Sequence, residues 1–423
     1  MSGRFDPRAY RDPHPRPILI RALGPLNRHF VLPHWLKVRR IDLPASDLAR
    51  LHSAIHPGSA AFIGPNHPEF MTDWMLDKEI SHRVSPLMAH WASYEIVNLN
   101  PAVQWFWLSN NLIANAPGGG GRDYSVAWAR RGHGVLLHPE GTATWHGDHV
   151  AELVTGIVEM AWEACRGAAS KSHAMPVYMV PVAWKLHFEA DVGRGLAREM
   201  AHIERALSLP SGDRETIEVR FASLQVGLLE RSAARHQVAL EAGGPEAFFA
   251  RQRQLAEQLT NRLADRYGTF EGPVWHGLFA MRRAVRERAD QDPEGAAQDR
   301  SVVREIERLH RCVPEFYDRP TLTQEQIAEN LKQIRSSLVT RGWREGLHNM
   351  VPVAVAPRTA RIRVSEPIPV HEHFPAPDED AVRRQLLSEM RRRLQVALDA
   401  VNAEIAPQID RWRRPNPLWS RAG

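Results

Sequence analysis

The stretch AFIGPNHPEFMTDWMLD, from Ala61 to Asp77, decides how this chain is read. It starts as a short apolar run, breaks at Pro65-Asn66-His67, and resumes at Thr72 with a helical pattern that carries Asp73. A buried strand, a turn and a helix in that order make the repeating unit of an α/β sheet. LLHPEGTATWHGD, from Leu136 to Asp148, has the same form: an apolar run that breaks at Pro139-Glu140-Gly141-Thr142. Ligands of open α/β sheets sit just past the carboxyl ends of strands. The two turns are therefore the candidate site.

Working outward, Lys37 to Leu43 alternates as a strand and Ala45 to Ile55 reads as a short helix. Gly134 to His138 reads as a strand and Val150 to Cys165 as a helix. Met175 to Trp184 is β-rich but holds Pro176 and Pro181, so an edge or irregular strand is expected. Upstream, Pro7, Pro13, Pro15 and Pro17 mark a loose arm. Ile18 to Leu36 is amphipathic and basic, suited to a packed helix pair or to a membrane interface, with Pro25 and Pro33 expected to interrupt it. Trp91, Tyr94, Trp105, Phe106 and Trp107 form an aromatic cluster that fits a core or an acyl-chain surface.

After Glu189 the pattern turns helical, divided by Pro210, Gly243-Gly244-Pro245, Gly272-Pro273, Pro293 and Pro320, with a Thr323/Gln326 capping box. Strand character returns at Val351 to Val355 and at Thr359 to Val364. A last helix is expected from Asp378 to Ile405, with Leu386, Met390, Leu394 and Leu398 on its apolar stripe. The expected organisation is an arm and amphipathic segment over 1–35, an α/β core over 36–189, a helical insertion over 190–349, and final strands and helix over 350–423.

Composition narrows the classes. At 43% hydrophobic and 24% charged, the chain has globular rather than disordered composition. Its two cysteines, Cys165 and Cys312, are far apart, which argues against a disulfide framework or a cysteine zinc site and fits a reducing cytoplasmic setting. The opening residues have no apolar signal-peptide core, and no window reaches the roughly 20 apolar residues of a spanning helix. The net charge of +5 favours anionic partners such as a membrane surface or phosphorylated substrates. The basic residues are scattered without a recognition motif, so no nucleic-acid partner is expected.

At the turns, a neutral His67 can take a proton from a hydroxyl, and Asp73 on its other ring nitrogen would fix the tautomer. No GxSxG elbow supplies a protein nucleophile. Glu140, Gly141 and Thr142 suit a polar head group held near His67. A metal-dependent hydrolase built on His138, His146, Asp148 and His149 is the reading from another class, although these residues lack the one-face spacing of zinc ligands.

In order and spacing these residues resemble the phospholipid/glycerol acyltransferase family, whose pattern has four blocks. Asn66-His67 with Asp73 matches the Asn-His-x4-Asp block, and Leu112-Ile113 through Arg122 the glycine-to-arginine block. Pro139-Glu140-Gly141-Thr142 matches Phe-Pro-Glu-Gly-Thr-Arg, and Val180-Pro181-Val182 the apolar Val-Pro run. The departures are five residues rather than four between His67 and Asp73, Thr72 at the usual aspartate position, Ala143 for arginine and His138 for phenylalanine. The resemblance implies a mixed sheet flanked by helices, with the helical insertion as an addition. It implies His67 and Asp73 as catalytic groups, with Asn66, Glu140, Gly141, Thr142 and Arg122 binding substrate. It further implies acyl transfer from acyl-CoA or acyl-carrier protein to a lysophospholipid or glycerol-phosphate-type acceptor. No metal or other cofactor is required, and the site of action would be the inner face of a membrane. A non-catalytic, membrane-associated homologue is the alternative that the departures suggest.

Overall fold

The computed structural model describes residues 5, 6, 8–116, 118–169, 175–270 and 274–420. Residues 1–4 and Pro7 of the expected arm, and the Gly272-Pro273 break, lie outside the described residues. The chain divides into two compact units, Met1–Glu189 with Pro357–Ala406, and Ala190–Ala356 with Pro407–Gly423.

The first unit is α/β. Its strands are β1 (Val38–Asp42), β2 (Ala60–Pro65), β3 (Ala89–Ser93), β4 (Leu112–Asn115), β5 (Val135–Leu136), β6 (Val177–Phe188), β7 (Arg358–Val364) and β8 (Ile368–Pro369). They form one mixed sheet in the order β1-β7-β6-β2-β5-β3-β4, with β8 also on β6. β7 and β8 run antiparallel to β6, and the other pairs are parallel. The helices that matter here are α1 (Pro17–Leu26), α2 (Ala45–Ala54), α3 (Thr72–Val84), α4 (Pro101–Ser109), α5 (Gly121–Ala129), α6 (Gly156–Ala169) and α7 (Glu379–Ile409).

Two apolar layers hold the sheet, and the period-2 alternation of β2 assigns its side chains between them. Ala60 and Phe62 pack with Ile157, Met160 and Trp162 of α6 and with Leu386, Met390 and Leu394 of α7. Ala61 and Ile63 pack on the other face with Leu51 of α2 and with Leu76 and Ile80 of α3. β2 is buried at every position, so its carboxyl end is fixed from both sides.

Several expectations are corrected. Pro25 and Pro33 do not interrupt the N-terminal helical run: Pro25 lies inside α1, which continues into a π-helical stretch, Asn27–Trp35, whose wider winding gives the Pro33 ring room beside the preceding turn. β6 is central rather than an edge. The Pro181 carbonyl accepts from Ser365 N–H at the break between β7 and β8, so the missing proline N–H costs no ladder bond. The helix expected from Val150 begins only at Gly156; before it, Val150 and Ala151 give their N–H groups to the Gln395 and Glu140 side chains. Val351 to Val355 forms no strand. The Val351 carbonyl is taken by Lys332 and Arg335, and Ala354 has φ +53°.

The second unit is helical, and it also takes in residues 407–423, expected with the core. Arg414 and Pro415 pair with Leu322 and Thr321, and Asn416 donates to the Tyr317 and Arg319 carbonyls. The Thr323/Gln326 capping box opens Gln324–Ile334, a helix whose polar side chains are buried nearly throughout.

Candidate active site

β2 delivers Pro65, Asn66 and His67, and β5 leads into His138, Pro139 and Glu140. Between His67 and α3 the chain turns through Met71 at φ +75°, a conformation uncommon for a residue with a side chain. That left-handed residue takes up the extra position between His67 and Asp73. The Asp73 carboxylate Oδ2 then meets His67 Nδ1. Asp73 is buried, and His67 keeps 17% of its side chain exposed, enough to face a substrate.

The second turn holds the first by its backbone. Glu140 accepts from His67 N–H through Oε1 at 2.6 Å and from Ala151 N–H through Oε2 at 2.8 Å. The His67 carbonyl accepts from Thr144 N–H at 2.8 Å and from its hydroxyl at 3.2 Å. Burial raises Glu140 to about 7 against the pull of those two N–H groups, His138 and Arg391. Gly141 supplies the bend, at φ +73°.

A second histidine–carboxylate pair lies against the first. The His138 ring stacks on His67 with centroids 4.0 Å apart and an interplanar angle of 13°. Its Nε2 lies 3.0 Å from Asp77 Oδ2, and its Nδ1 faces the Pro65 and Asn66 carbonyls at 3.3 and 3.2 Å. Burial opposes charge on His138, but Asp77, with Asp73 and Glu140 nearby, lifts it to about 9. Burial raises Asp77 as well. Asp73 and Asp77 are four apart on α3, so one helix face presents a carboxylate to each histidine. That spacing was visible in the sequence, and it is the signal by which Asp77 and His138 could have been found.

The structure brings together His67, Asp73 and Glu140, and it engages three expected binding residues with partners inside the protein. Asn66 is fully buried, and its amide is used at both ends on β6: Oδ1 accepts from Trp184 N–H at 2.8 Å and Nδ2 donates to the Trp184 carbonyl at 3.0 Å. Those bonds fix the end of β2. Glu140 is likewise a backbone brace, with both oxygens engaged. Arg122, expected at a phosphate, is ion-paired with Glu159 of α6. Gly141 is exposed and Thr142 half-buried, at the rim of the turn. Two further cations are also engaged: Lys185 on Asp148 and Asn402, and Arg130 on the Gly167 carbonyl.

His67, Asp73 and His138 offer donor atoms within 4.8 Å of one another, close enough to share a divalent ion. The fit is poor, because His67 Nδ1 already meets Asp73 and both His138 nitrogens already face oxygens. The other expected metal set is divided: His138 stacks on His67, and Asp148 is paired with Lys185.

Fold and site together define an α/β protein that presents two stacked histidine–carboxylate pairs at the carboxyl ends of adjacent parallel strands. No protein-family model matches the chain, and no curated protein matches it.

Proposed function

We propose that the chain is an O-acyltransferase of the phospholipid/glycerol acyltransferase kind, with the sheet arrangement of that family. It moves a fatty acyl group from acyl-CoA or acyl-carrier protein to a hydroxyl of a lysophospholipid or glycerol-phosphate-type acceptor. The observation that carries the reading is the His67–Asp73 pair, closed across a five-residue spacing at the end of a buried strand.

With Asp73 on Nδ1, His67 takes the acceptor hydroxyl proton at Nε2. The oxygen attacks the thioester carbonyl and forms a tetrahedral oxyanion. Collapse breaks the carbon–sulfur bond, and the proton passes from His67 to the leaving thiolate. Backbone N–H groups of the turns are the donors available to the oxyanion. No step calls for a metal or redox cofactor.

Peripheral action at a membrane agrees with the apolar surface of the N-terminal helical run. Ile18, Leu26, Phe30 and Trp35 are exposed there, alongside the exposed Arg21 and Arg28. No helix among the described residues is long and apolar enough to cross a membrane.

The test is acyl transfer from radiolabelled acyl-CoA, and from acyl-carrier protein, to a panel of lysolipids and glycerol phosphate. His67→Ala is expected to lose about 10²- to 10⁴-fold of the transfer rate. Transfer unchanged by the substitution would remove His67 as the base. No transfer to any acceptor from either donor would favour the non-catalytic homologue.

A further inference from the structure

One residue further round α3 from Asp73 and Asp77 stand Trp74 and Lys78, also four apart and turned by about 100° on the helix. They face a cavity of about 200 Å³ between α1, α3 and α4. Leu23, Val31, Trp74, Met75, Phe106 and Trp107 are among the apolar residues of its wall. Trp74 and Trp107 meet edge to face with centroids 4.5 Å apart, which gives the wall a rigid aromatic corner. α1 can close over α3 because residue 24 is glycine: a Cβ there would stand 2.3 Å from the His82 ring.

The cavity is larger than the ~150 Å³ apolar cavity known to take up benzene, so an apolar group of at least that size fits. Lys78 is the cationic group in its lining. Its ammonium donates to the Asn110 carbonyl at 3.0 Å, which uses one of its three donors. The neighbouring Asp77 carboxylate is turned to His138 on the other side of the helix. Burial pushes Lys78 down to about 7 against the upward pull of the Asp77 carboxylate, which its apolar surroundings outweigh.

An apolar wall with one cation selects a ligand of matching polarity. A purely apolar molecule would leave Lys78 without an anion on the cavity side, and an amine would meet a like charge. An acyl thioester carbonyl could accept a hydrogen bond from the ammonium but is neutral and would not balance its charge. A carboxylate on a short hydrocarbon tail satisfies both features.

We propose that this cavity is a binding site for a short aliphatic monocarboxylate, with its carboxylate on Lys78 and its tail between α1 and α4. The site is separate from the His67 cluster, yet it shares α3 with it. A bound acid therefore rests against the helix that carries Asp73. Free carboxylic acid is what remains when a thioester is hydrolysed instead of transferred, so the ligand is one that acyl-thioester chemistry generates.

The experiment is isothermal titration calorimetry on the full chain with octanoate, octanol and octylamine. Octanoate is expected to bind at least tenfold more tightly than octanol, and octylamine not to bind. Lys78→Met keeps the length of the side chain and removes its charge, so it should abolish the preference for octanoate and leave octanol unchanged. Leu23→Trp should fill the cavity and weaken both ligands. Equal binding of octanoate and octanol to the unsubstituted chain would overturn the proposal, as would octanoate affinity that survives Lys78→Met or no binding of either ligand. No turnover is measured, so these outcomes are independent of whether the chain transfers acyl groups.

Discussion

Glu199 and Asp73 are both buried acids, but one is balanced by an arginine and the other by a histidine. In the helical unit the arginine solution recurs. Glu199 meets Arg335 with both oxygens at 3.0 Å, Glu204 takes a two-bond fork from Arg220 at 2.7 and 2.6 Å, and Glu305 is paired with Arg308. At the strand ends of the α/β unit, Asp73 and Asp77 meet His67 and His138. Arginine keeps its charge at any working pH, so its pairs are permanent fixtures. Histidine changes charge within the physiological range and can pass a proton on. The α/β unit uses the arginine solution as well, where Glu79 of α3 meets Arg28 and Arg83, so what sets its strand ends apart is that the buried carboxylates there are balanced for chemistry instead of permanence.

Breaking an arginine pair should have the largest effect on stability. Arg335→Met leaves Glu199 buried and unbalanced, and should cost the helical unit about 3–5 kcal/mol. Hydrogen exchange in peptides from Gly193–Leu207 and Gln324–Ile334 would register the loss. Protection unchanged in those helices would break the contrast.

Next comes the pH response. His138 is raised from its ordinary value near 6.5 to about 9. Its contribution is complete below the ordinary value and is lost as pH rises through about 9. Glu140, raised from 4.5 to about 7, loses its contribution in the same direction over a lower range. Between pH 6.5 and 9.5 the α/β unit should therefore lose on the order of 3–4 kcal/mol, while the arginine pairs hold level. His138→Gln should flatten the profile of the α/β unit, and exchange rates corrected for intrinsic pH dependence would measure it. An equal slope in both units would contradict the assignment.

Glu140→Gln keeps one good acceptor for two backbone donors and should cost about 1–2 kcal/mol. His67 would lose its hold before the rest of β2 does, so thermal stability should fall with the transfer rate. The smallest effect belongs to Arg122→Ala. Its pair with Glu159 is half exposed, and its removal should change stability by no more than about 0.5 kcal/mol. If transfer to a phosphate-bearing acceptor nevertheless collapsed, Arg122 would regain the substrate role first expected of it.

Much of the frame was legible in the sequence. β2, β7 and the stripe of α7 follow from local periodicity, and the His67-to-Asp73 stretch is contained in a few residues. The roles of Asn66 and Glu140 were not legible, because what they bind is backbone that arrives from elsewhere. Trp184 lies 118 residues from Asn66, and His67 lies 73 from Glu140. A polar side chain reads as available until the distant strand that satisfies it is known. β6 was misjudged for a related reason. Pro181 rules out a central strand only if a partner stands opposite its nitrogen, and that depends on where β7 ends and β8 begins. His138 was read from its sequence neighbours, although its decisive partner, Asp77, was already visible in the helix pattern.

The position of β7 has a consequence for synthesis. It lies between β1 and β6, yet about 170 residues separate the end of β6 from its start. At 5–20 residues per second, a ribosome takes roughly 10–30 s to cover that distance. Throughout that interval β1 has no neighbour to pair with, and the flank of β6 that β7 will cover stands open. The outward arginines of β1, Arg39 and Arg40, are the kind of residue that keeps an unpaired strand from joining another chain. The nascent protein must wait for its own middle to be translated before its first strand has a place in the sheet.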